Sequence, residues 1–252
     1  MHPEIYFKDT GVLALTSDAS IDFTPVDFDS PLTSVQRAYL WEHCKIDMPQ
    51  VFWRKQIHGD DILEAHKSFV IPISDKNIRG QAAAGIFNAG VYKGCGDADA
   101  YVTDEKNLPI AIRTADCVPV FIFDPRHRAI GLVHAGWKGT YKAIAAKTAQ
   151  RMHEKYASKF SELQVVLGPC IRECCYQVGE EFRDYFPLYV RNRGSCLYLD
   201  MPIANRDQLL QLGLLKENIL DCAICTCCNR NYFSFRRDGA KTGRMISLMM
   251  LL

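Results

Sequence analysis

The fold is decided by the stretch Val118-Pro-Val-Phe-Ile-Phe-Asp-Pro125 and by the run Ala129-Ile-Gly-Leu-Val133 that follows it. Each apolar run is short and continuous, which is typical of a buried strand. Asp124-Pro125 is typical of a turn. The sequence therefore predicts two buried strands joined by a tight connection, and we expect them to pair in antiparallel fashion.

Three side chains with catalytic or metal-binding chemistry lie at the ends of predicted strands. Cys117 directly precedes the first of the two strands, and His134 follows the second, 17 positions later. In an antiparallel pair these two ends meet. His58 follows the strand-like run Val51-Phe-Trp-Arg-Lys-Gln-Ile57. Two histidines and a cysteine predict either a metal site with an open position or a Cys/His nucleophile pair.

The surroundings of these residues favour a functional site. Ala135 and Gly136 are small, so that a ligand can approach the backbone. A helix that begins near Lys138 would offer N–H groups and a partial positive charge to an anion. Asp97 and Asp99 precede a strand, where aspartate commonly caps a turn. Near a metal, either carboxylate could instead transfer protons or orient a histidine ligand.

Composition excludes several classes of protein. The net charge of +1 over 252 residues gives no general attraction to nucleic acid or to a membrane surface. No apolar run reaches transmembrane length, and the N-terminus lacks the features of a signal peptide. The 11 cysteines are odd in number and include adjacent pairs, which indicates reduced thiols. We therefore expect a cytoplasmic protein without a nucleic-acid or membrane partner.

The order of predicted elements favours an α+β fold, with mixed β-sheets flanked by helices, in one compact domain spanning 1–252. No G-x-G-x-x-G or P-loop motif supports nucleotide binding. Predicted helices run from Ser30-Pro31 to about Cys44, from Gly136 to about Tyr156, and over 201–213 with Asp200 as cap. Predicted strands lie near 51–57, 99–103, 109–113, 118–123, 129–134, 163–168 and 232–235.

A second group of cysteines lies near the C-terminus. The pattern Cys222-x-x-Cys225-x-Cys227-Cys228 is similar to half of a structural zinc knuckle. A complete site needs a second set of ligands. Cys170 with Cys174-Cys175 is the only candidate for that set, and its spacing is not standard. Whether this group binds a second metal stays open at the level of sequence.

Several segments together resemble the YfiH/laccase-domain family, which is also described as polyphenol oxidase or purine nucleoside phosphorylase. They follow the family's order from about residue 35 to the C-terminus. The matching segments are Gln56-Ile-His-Gly59, Asp97-Ala-Asp-Ala-Tyr-Val-Thr103, Thr114-Ala-Asp-Cys-Val-Pro119, His134-Ala-Gly-Trp-Lys-Gly139, Gly168-Pro-Cys-Ile171, Cys175-Tyr-Gln-Val178, Cys225-Thr226 and Tyr232-Phe-Ser-Phe-Arg-Arg-Asp238.

The resemblance implies a YfiH-like fold of the CNF-like cysteine hydrolase type, with a set of site residues. His58, Cys117 and His134 would be the zinc-binding catalytic trio, with Asp99 as a further catalytic residue. Arg37 aligns with the arginine of an Asn-Arg pair that helps to bind substrate, although Gln36 replaces the asparagine here. We also expect Tyr176 and Arg244 to bind substrate.

The same resemblance implies a zinc-dependent enzyme that acts on purine nucleosides. The implied reactions are phosphorolysis of adenosine, inosine, guanosine or methylthioadenosine, and deamination of adenosine. The partners would be a small purine nucleoside and phosphate, and the protein a monomer or small homo-oligomer. The residues fit this chemistry, because two histidines and a cysteine leave a position on zinc for water.

Three alternatives remain. A copper-dependent polyphenol oxidase (laccase) would need many histidines, commonly in His-x-His pairs. The chain has only 7 histidines and no such pair. A metal-free hydrolase or amidase acting on cell-wall precursors would use Cys117 as nucleophile and His134 as base. In a non-enzymatic binding protein, the same three residues would hold a structural zinc ion.

Overall fold

The computed structural model describes residues 4–8, 10–24, 32–44, 51–72, 90–92 and 96–252 and has an α+β architecture. The strands are β1 (Glu4–Tyr6), β2 (Val12–Thr16), β3 (Ile62–Glu64), β4 (Val70–Pro72), β5 (Gly90–Tyr92), β6 (Ala100–Thr103), β7 (Ile110–Thr114), β8 (Val118–Asp124), β9 (Ala129–Ala135), β10 (Gln164–Leu167), β11 (Gln177–Val178), β12 (Val190–Arg193), β13 (Cys196–Leu199), β14 (Ile219–Asp221) and β15 (Met245–Leu251). The α-helices are α1 (Ser34–Cys44), α2 (Trp137–Tyr141), α3 (Ile144–Tyr156), α4 (Phe182–Tyr185), α5 (Met201–Gln211) and α6 (Phe235–Asp238).

The predicted pair of buried strands is confirmed at the centre of a mixed sheet of order β14-β10-β8-β9-β6-β3. Strands β8 and β9 are antiparallel, with Pro119 opposite His134, and all their residues are buried. The outer pairs β10–β14 and β3–β6 are parallel. Continuous apolar runs suit β8 and β9 because both faces of the central sheet are covered. Asp124 closes the connection by accepting hydrogen bonds from the N–H groups of Arg126 and His127.

A second sheet, of order β1-β2-β15-β7, packs on one face of the central sheet. Apolar side chains of both sheets form one cluster, which includes Ile110 and Met249 from one sheet and Phe121 and Leu132 from the other. Helices α3 and α5 cover the opposite face of the central sheet. Helix α1 covers the outer face of the second sheet. Both faces of the β8–β9 pair are therefore packed, and their ends are fixed by the core.

The helix predicted over 136–156 is two helices, α2 and α3. Ala143 separates them because its backbone is left-handed, with φ 57° and ψ 42°. Such a conformation cannot continue a right-handed helix. The Asp200 cap is confirmed, since its side chain accepts a hydrogen bond from the N–H of Ile203. Helix α1 begins at Ser34, and the predicted start at Ser30-Pro31 lies outside the described residues.

Two predicted strands are wrong. The segment 51–57 is extended but forms only an isolated bridge between Phe52 and Ile110, so it is not a strand of either sheet. The segment 232–235 leads into a short helix instead, because the Ser234 hydroxyl accepts a hydrogen bond from the N–H of Arg237 and caps α6. Within the described residues, no helix has both the length and the apolar character needed to cross a bilayer.

The break at Ala143 generates a prediction for stability. Ala143→Gly should raise the free energy of unfolding by roughly 0.5–1 kcal/mol, because glycine adopts a left-handed backbone without the steric cost that alanine carries. The matched change Ala146→Gly lies within α3 and should lower it by about 0.5–1 kcal/mol. Urea denaturation of both variants measures the difference. Equal destabilisation by the two changes would contradict the left-handed break.

Candidate active site

The three residues predicted from the sequence come together at one end of the β8–β9 pair. The candidate ligand atoms of His58, Cys117 and His134, here named the His/Cys/His group, all lie within 4.8 Å of one another. His134 is buried in β9, whereas His58 is exposed on the loop before β3. The ring centroids of the two histidines are 4.8 Å apart. Two imidazoles and one sulfur at this separation form a donor set that fits a single metal ion.

Asp99 holds two of the three candidate ligands in place. Its buried carboxylate accepts a hydrogen bond of 2.7 Å from Nδ1 of His134. The same carboxylate accepts hydrogen bonds from the backbone N–H groups of Ile57, His58 and Gly59, at 3.1, 3.0 and 2.7 Å. The hydrogen bond between Nδ1 of His134 and Asp99 fixes the His134 tautomer and directs Nε2 of the ring away from Asp99. One carboxylate therefore positions both the His134 ring and the loop that carries His58.

Further contacts fix the His58 loop against the core. The side-chain amide of Gln56 and the backbone of Arg113 exchange two hydrogen bonds, each of 2.9 Å. On the other side, Gly139 of α2 lies so close that a Cβ there would be 3.0 Å from the carbonyl oxygen of Gly59. His58 itself has a left-handed backbone, with φ 57°. Such a conformation is held in place by surrounding contacts.

Gly136 explains why the segment after His134 contains small residues. A Cβ at this position would lie 3.0 Å from Cδ2 of His58 and 3.2 Å from Sγ of Cys117. Contacts this short would push two of the three side chains apart. The absence of a side chain at Gly136 therefore leaves the space in which the His/Cys/His group assembles.

The charges within the group are strongly coupled. Burial raises the pKa of the Cys117 thiol, but the charges of His134 and His58 and their hydrogen bonds to the sulfur lower it to about 6 overall. Burial lowers the pKa of the His134 imidazole, whereas the Cys117 thiolate and Asp99 raise it to about 9. Burial also raises the pKa of Asp99, but hydrogen bonds from His134, Gly59 and His58 outweigh it and lower that pKa overall.

The group lies in the wall of a cavity of about 510 Å³, a size that suits a small-molecule ligand. The lining combines the three candidate ligands with aromatic, apolar and cationic side chains. These residues are Gln56, His58, Arg113, Ala115, Asp116, Cys117, His134, Trp137, Ile171, Tyr176, Met201, Phe235, Arg236 and Arg244.

Asp116 ties the late loops of the chain to this cavity. Its backbone is left-handed, with φ 98°, and its side chain is buried. One carboxylate oxygen accepts a hydrogen bond of 2.7 Å from the hydroxyl of Thr226, and the other accepts one of 2.6 Å from the backbone N–H of Arg236. The residue next to Cys117 therefore positions the segment that brings Arg236 to the cavity.

The structure places the other predicted site residues in different positions. Tyr176 and Arg244 line the cavity, whereas Arg37 on α1 is not among its lining residues. Asp99 is not among the lining residues, and its carboxylate instead contacts the His134 ring. Asp97 is exposed.

Sequence reasoning did not select several lining residues, namely Gln56, Arg113, Asp116, Trp137 and Arg236. All of them except Arg113 lie within segments that carry the family resemblance, but none was assigned a role there. Arg113 and Asp116 precede Cys117, and Trp137 follows Gly136. Position next to a candidate ligand was therefore the available signal. For the polar run Arg236-Arg-Asp-Gly239, the sequence left open both a solvated turn and a contribution to the site.

The fold and this site define a class of α+β proteins in which two histidines and a cysteine meet at one end of an antiparallel strand pair, beside a cavity. The chain belongs to the family described as multi-copper polyphenol oxidoreductase laccase, the laccase-like or YfiH family, whose model matches residues 27–252. A solved structure, the hypothetical protein YfiH of Bacillus licheniformis, has a TM-score of 0.80 and 27% sequence identity. The match covers 100% of this chain and 97% of that one.

Relatives with named activities are similar over part of their length. The purine nucleoside phosphorylase CA_C1699 of Clostridium acetobutylicum is 37% identical over 165 residues, which cover 61% of this chain and 67% of that protein. The adenosine deaminase RL5, from an unknown prokaryotic organism, is 33% identical over 156 residues, which cover 58% and 59% of the two chains. The matched part thus spans about three fifths to two thirds of these relatives.

The coupled charges predict an unusual reactivity of Cys117 in protein stripped of metal. Its thiolate should be half formed near pH 6, so alkylation by iodoacetamide should rise with a midpoint near that pH. Mass spectrometry of the Cys117 peptide measures the rate. Cys44 is an internal reference, because burial raises its pKa to about 12. In a His134→Gln variant, loss of the imidazolium should move the Cys117 midpoint upward; an unchanged midpoint would contradict this account.

Proposed function

We propose that this chain is a zinc-dependent enzyme of purine nucleosides. The proposed reactions are phosphorolysis of adenosine, inosine, guanosine or methylthioadenosine, and deamination of adenosine. The names of two relatives, a purine nucleoside phosphorylase and an adenosine deaminase, support this substrate class. The observation that carries the proposal is the position of the His/Cys/His group in the wall of a cavity of about 510 Å³.

The donor set supports zinc as the metal. His58, Cys117 and His134 supply two nitrogens and one sulfur, as in zinc sites that keep a fourth position open for chemistry. Asp99 is the carboxylate partner that histidine ligands of zinc commonly have. When bound, a zinc ion supplies Lewis acidity, which polarises a substrate group and lowers the pKa of water at its open position.

Aromatic side chains of the cavity suit a purine base. Trp137, Tyr176 and Phe235 all line it, and a flat ring system packs favourably on such side chains. The guanidinium of Arg236 lies over the Tyr176 ring, at 5.1 Å from the ring centroid, and its Nη1 donates to the carbonyl of Gln177. These contacts hold Arg236 against Tyr176, so that one side of the cavity is both flat and cationic.

Cationic side chains of the cavity suit phosphate. Arg113, Arg236 and Arg244 all line it. Phosphorolysis forms a bond between a phosphate oxygen and C1′ of the ribose while the bond from C1′ to the purine breaks, and a proton joins the leaving base. Guanidinium groups would bind and orient the anion for that attack. Deamination needs no phosphate, so it would proceed without an anion bound at these guanidinium groups.

A copper polyphenol oxidase is a second candidate, favoured by the family description and by the strong binding of Cu²⁺ to nitrogen and sulfur ligands. The 7 histidines of the chain include no His-x-His pair. Within the part of the chain that the structure describes, one group with histidine ligands fits a metal ion. This donor set falls short of the several copper centres that such an oxidase needs.

A metal-free cysteine hydrolase is a third candidate, favoured by one observation. The pKa of Cys117 is lowered to about 6 by His134 and His58, after burial has raised it, and a thiolate beside an imidazole is the arrangement of a cysteine nucleophile. The same arrangement also prepares a thiolate to bind metal. Chelation therefore separates the two, because a nucleophilic cysteine works without zinc.

The proposal predicts zinc-dependent turnover of nucleosides. With phosphate, incubation with adenosine or inosine should yield the free base and ribose 1-phosphate. Without phosphate, these products should be absent, and adenosine should be converted to inosine. Cys117→Ala should lower kcat/KM by more than about 100-fold, as expected for loss of a principal group of the site. Chromatography of the products measures both reactions, and zinc added after chelation should restore them.

The control is Cys196→Ala, a cysteine of β13 that is not among the lining residues of the cavity; this variant should keep full activity. Equal turnover by the Cys117→Ala protein would contradict the proposed site. Activity that survives complete removal of zinc would favour the cysteine hydrolase. Oxygen uptake on phenols by copper-loaded protein, with no turnover of nucleosides, would favour the oxidase.

A further inference from the structure

A second group of thiols lies in loops that the proposed chemistry does not use. The sulfur atoms of Cys174, Cys175, Cys225 and Cys228, here named the four-cysteine cluster, all lie within 4.8 Å of one another. The sulfur of Cys228 is 3.5 Å from that of Cys174 and 3.2 Å from that of Cys175. Cys174 and Cys228 are exposed, and the other two are partly buried, so an ion from solution can reach the cluster.

We propose that the four-cysteine cluster binds one Zn²⁺ ion in a structural site separate from the His/Cys/His group. Zinc binds four thiolates tetrahedrally at about 2.3 Å, which places sulfur atoms roughly 3.8 Å apart. The separations from Cys228, 3.2 and 3.5 Å, are slightly shorter than this value, and no pair of the four sulfur atoms is more than 4.8 Å apart, so small side-chain rotations suffice to bind the ion. Four soft ligands around one point favour zinc over magnesium or calcium, which bind oxygen.

The backbone around Cys225 is arranged for a thiolate ligand. The N–H groups of Cys228 and Arg172 donate hydrogen bonds to its sulfur. The segment from Cys225 to Cys228 forms a turn in which the N–H of Asn229 donates to the carbonyl of Cys225. A C-x-x-C turn of this kind presents two sulfur atoms to one ion. Cys174 and Cys175 complete the set from the facing loop.

Two arginines bring positive charge to the backbone of these loops. Nη1 of Arg193 donates to the carbonyl of Cys174 at 3.3 Å. Nη1 of Arg237 donates to the carbonyl of Thr226 at 2.9 Å and to that of Cys227 at 3.4 Å. Zinc with four thiolates carries a net charge of −2, which nearby cations stabilise. The two loops therefore supply the thiolate ligands, and Arg193 of β12 and Arg237 of α6 supply positive charge next to them.

The position of the cluster gives the ion a role in the fold. An isolated bridge between Cys170 and Cys225 is the backbone pairing that joins the two loops. The first loop brings Ile171 and Tyr176 to the cavity, and the second leads into Phe235 and Arg236. An ion bound between the loops would fix this side of the cavity without taking part in the reaction. The inference does not depend on the proposed function, because it concerns different ligands.

The test uses the full chain with Cys117→Ala, which removes a ligand of the His/Cys/His group. After expression in zinc-containing medium with reductant and after desalting, this protein should retain one zinc ion per chain by mass spectrometry of metals. Adding Cys174→Ser and Cys228→Ser should remove that zinc. The matched control is Cys227→Ser, which lies between two of the ligands in sequence but is not part of the cluster, and zinc should stay bound.

A spectroscopic measurement makes the test independent of whether the Cys174→Ser and Cys228→Ser changes allow the protein to fold. Zinc-free Cys117→Ala protein should bind one Co²⁺ ion and show the intense thiolate-to-metal charge-transfer bands of a tetrahedral sulfur site. Cobalt bound without those bands would overturn the proposal. A Cys117→Ala protein that retains no zinc would also overturn it, as would loss of zinc from the Cys227→Ser control. Loss of nucleoside turnover has no bearing on these outcomes.

Discussion

The site depends on the carboxylate of Asp99 more than on any other single group. It accepts hydrogen bonds from the His134 ring and from three consecutive backbone N–H groups of the loop that carries His58. This carboxylate is buried, so it would be costly without partners, and its partners satisfy it. Two candidate ligands that are 76 positions apart in sequence (134 − 58) are thereby fixed relative to one another. Cys117 needs no such contact, because the pairing of β8 with β9 already places it beside Gly136.

The cavity has two sides that are built differently. One side is the end of the central sheet, where the pairing of β8 with β9 places Cys117 and His134, and where His134 is buried. The other side comes from loops after β10 and β14, which have little regular structure of their own. Asp116 connects the two sides through Thr226 and the backbone of Arg236. The four-cysteine cluster joins the same two loops further out. Metal binding at both positions would therefore combine a rigid reactive centre with loops held by a separate ion.

The sequence was sufficient for the parts of the structure that follow from local pattern. The apolar runs predicted β8 and β9, and the ends of these strands led to Cys117 and His134. Local pattern was not sufficient at two other places: no residue pattern marks Ala143 as left-handed, and the Ser234 hydroxyl caps α6 through Arg237 although the aromatic neighbours of Ser234 favour a strand. Of the cationic residues that line the cavity, Arg244 was predicted, whereas Arg113 and Arg236 were not assigned to the site because they face the cavity only after the loops have packed. The cysteine pairs were visible, but their spacing did not reveal which sulfur atoms meet.

The most direct test of the central claim is anomalous X-ray diffraction at the zinc absorption edge, from crystals of the wild-type chain and of an Asp99→Asn variant. The account predicts a peak bounded by Nε2 of His134, the sulfur of Cys117 and the His58 ring. In the variant, the peak should be weaker or absent, because loss of a carboxylate partner commonly lowers metal affinity about 10–100-fold. A wild-type crystal with zinc in the medium but no peak at these three side chains would contradict it. So would an undiminished peak in the Asp99→Asn protein.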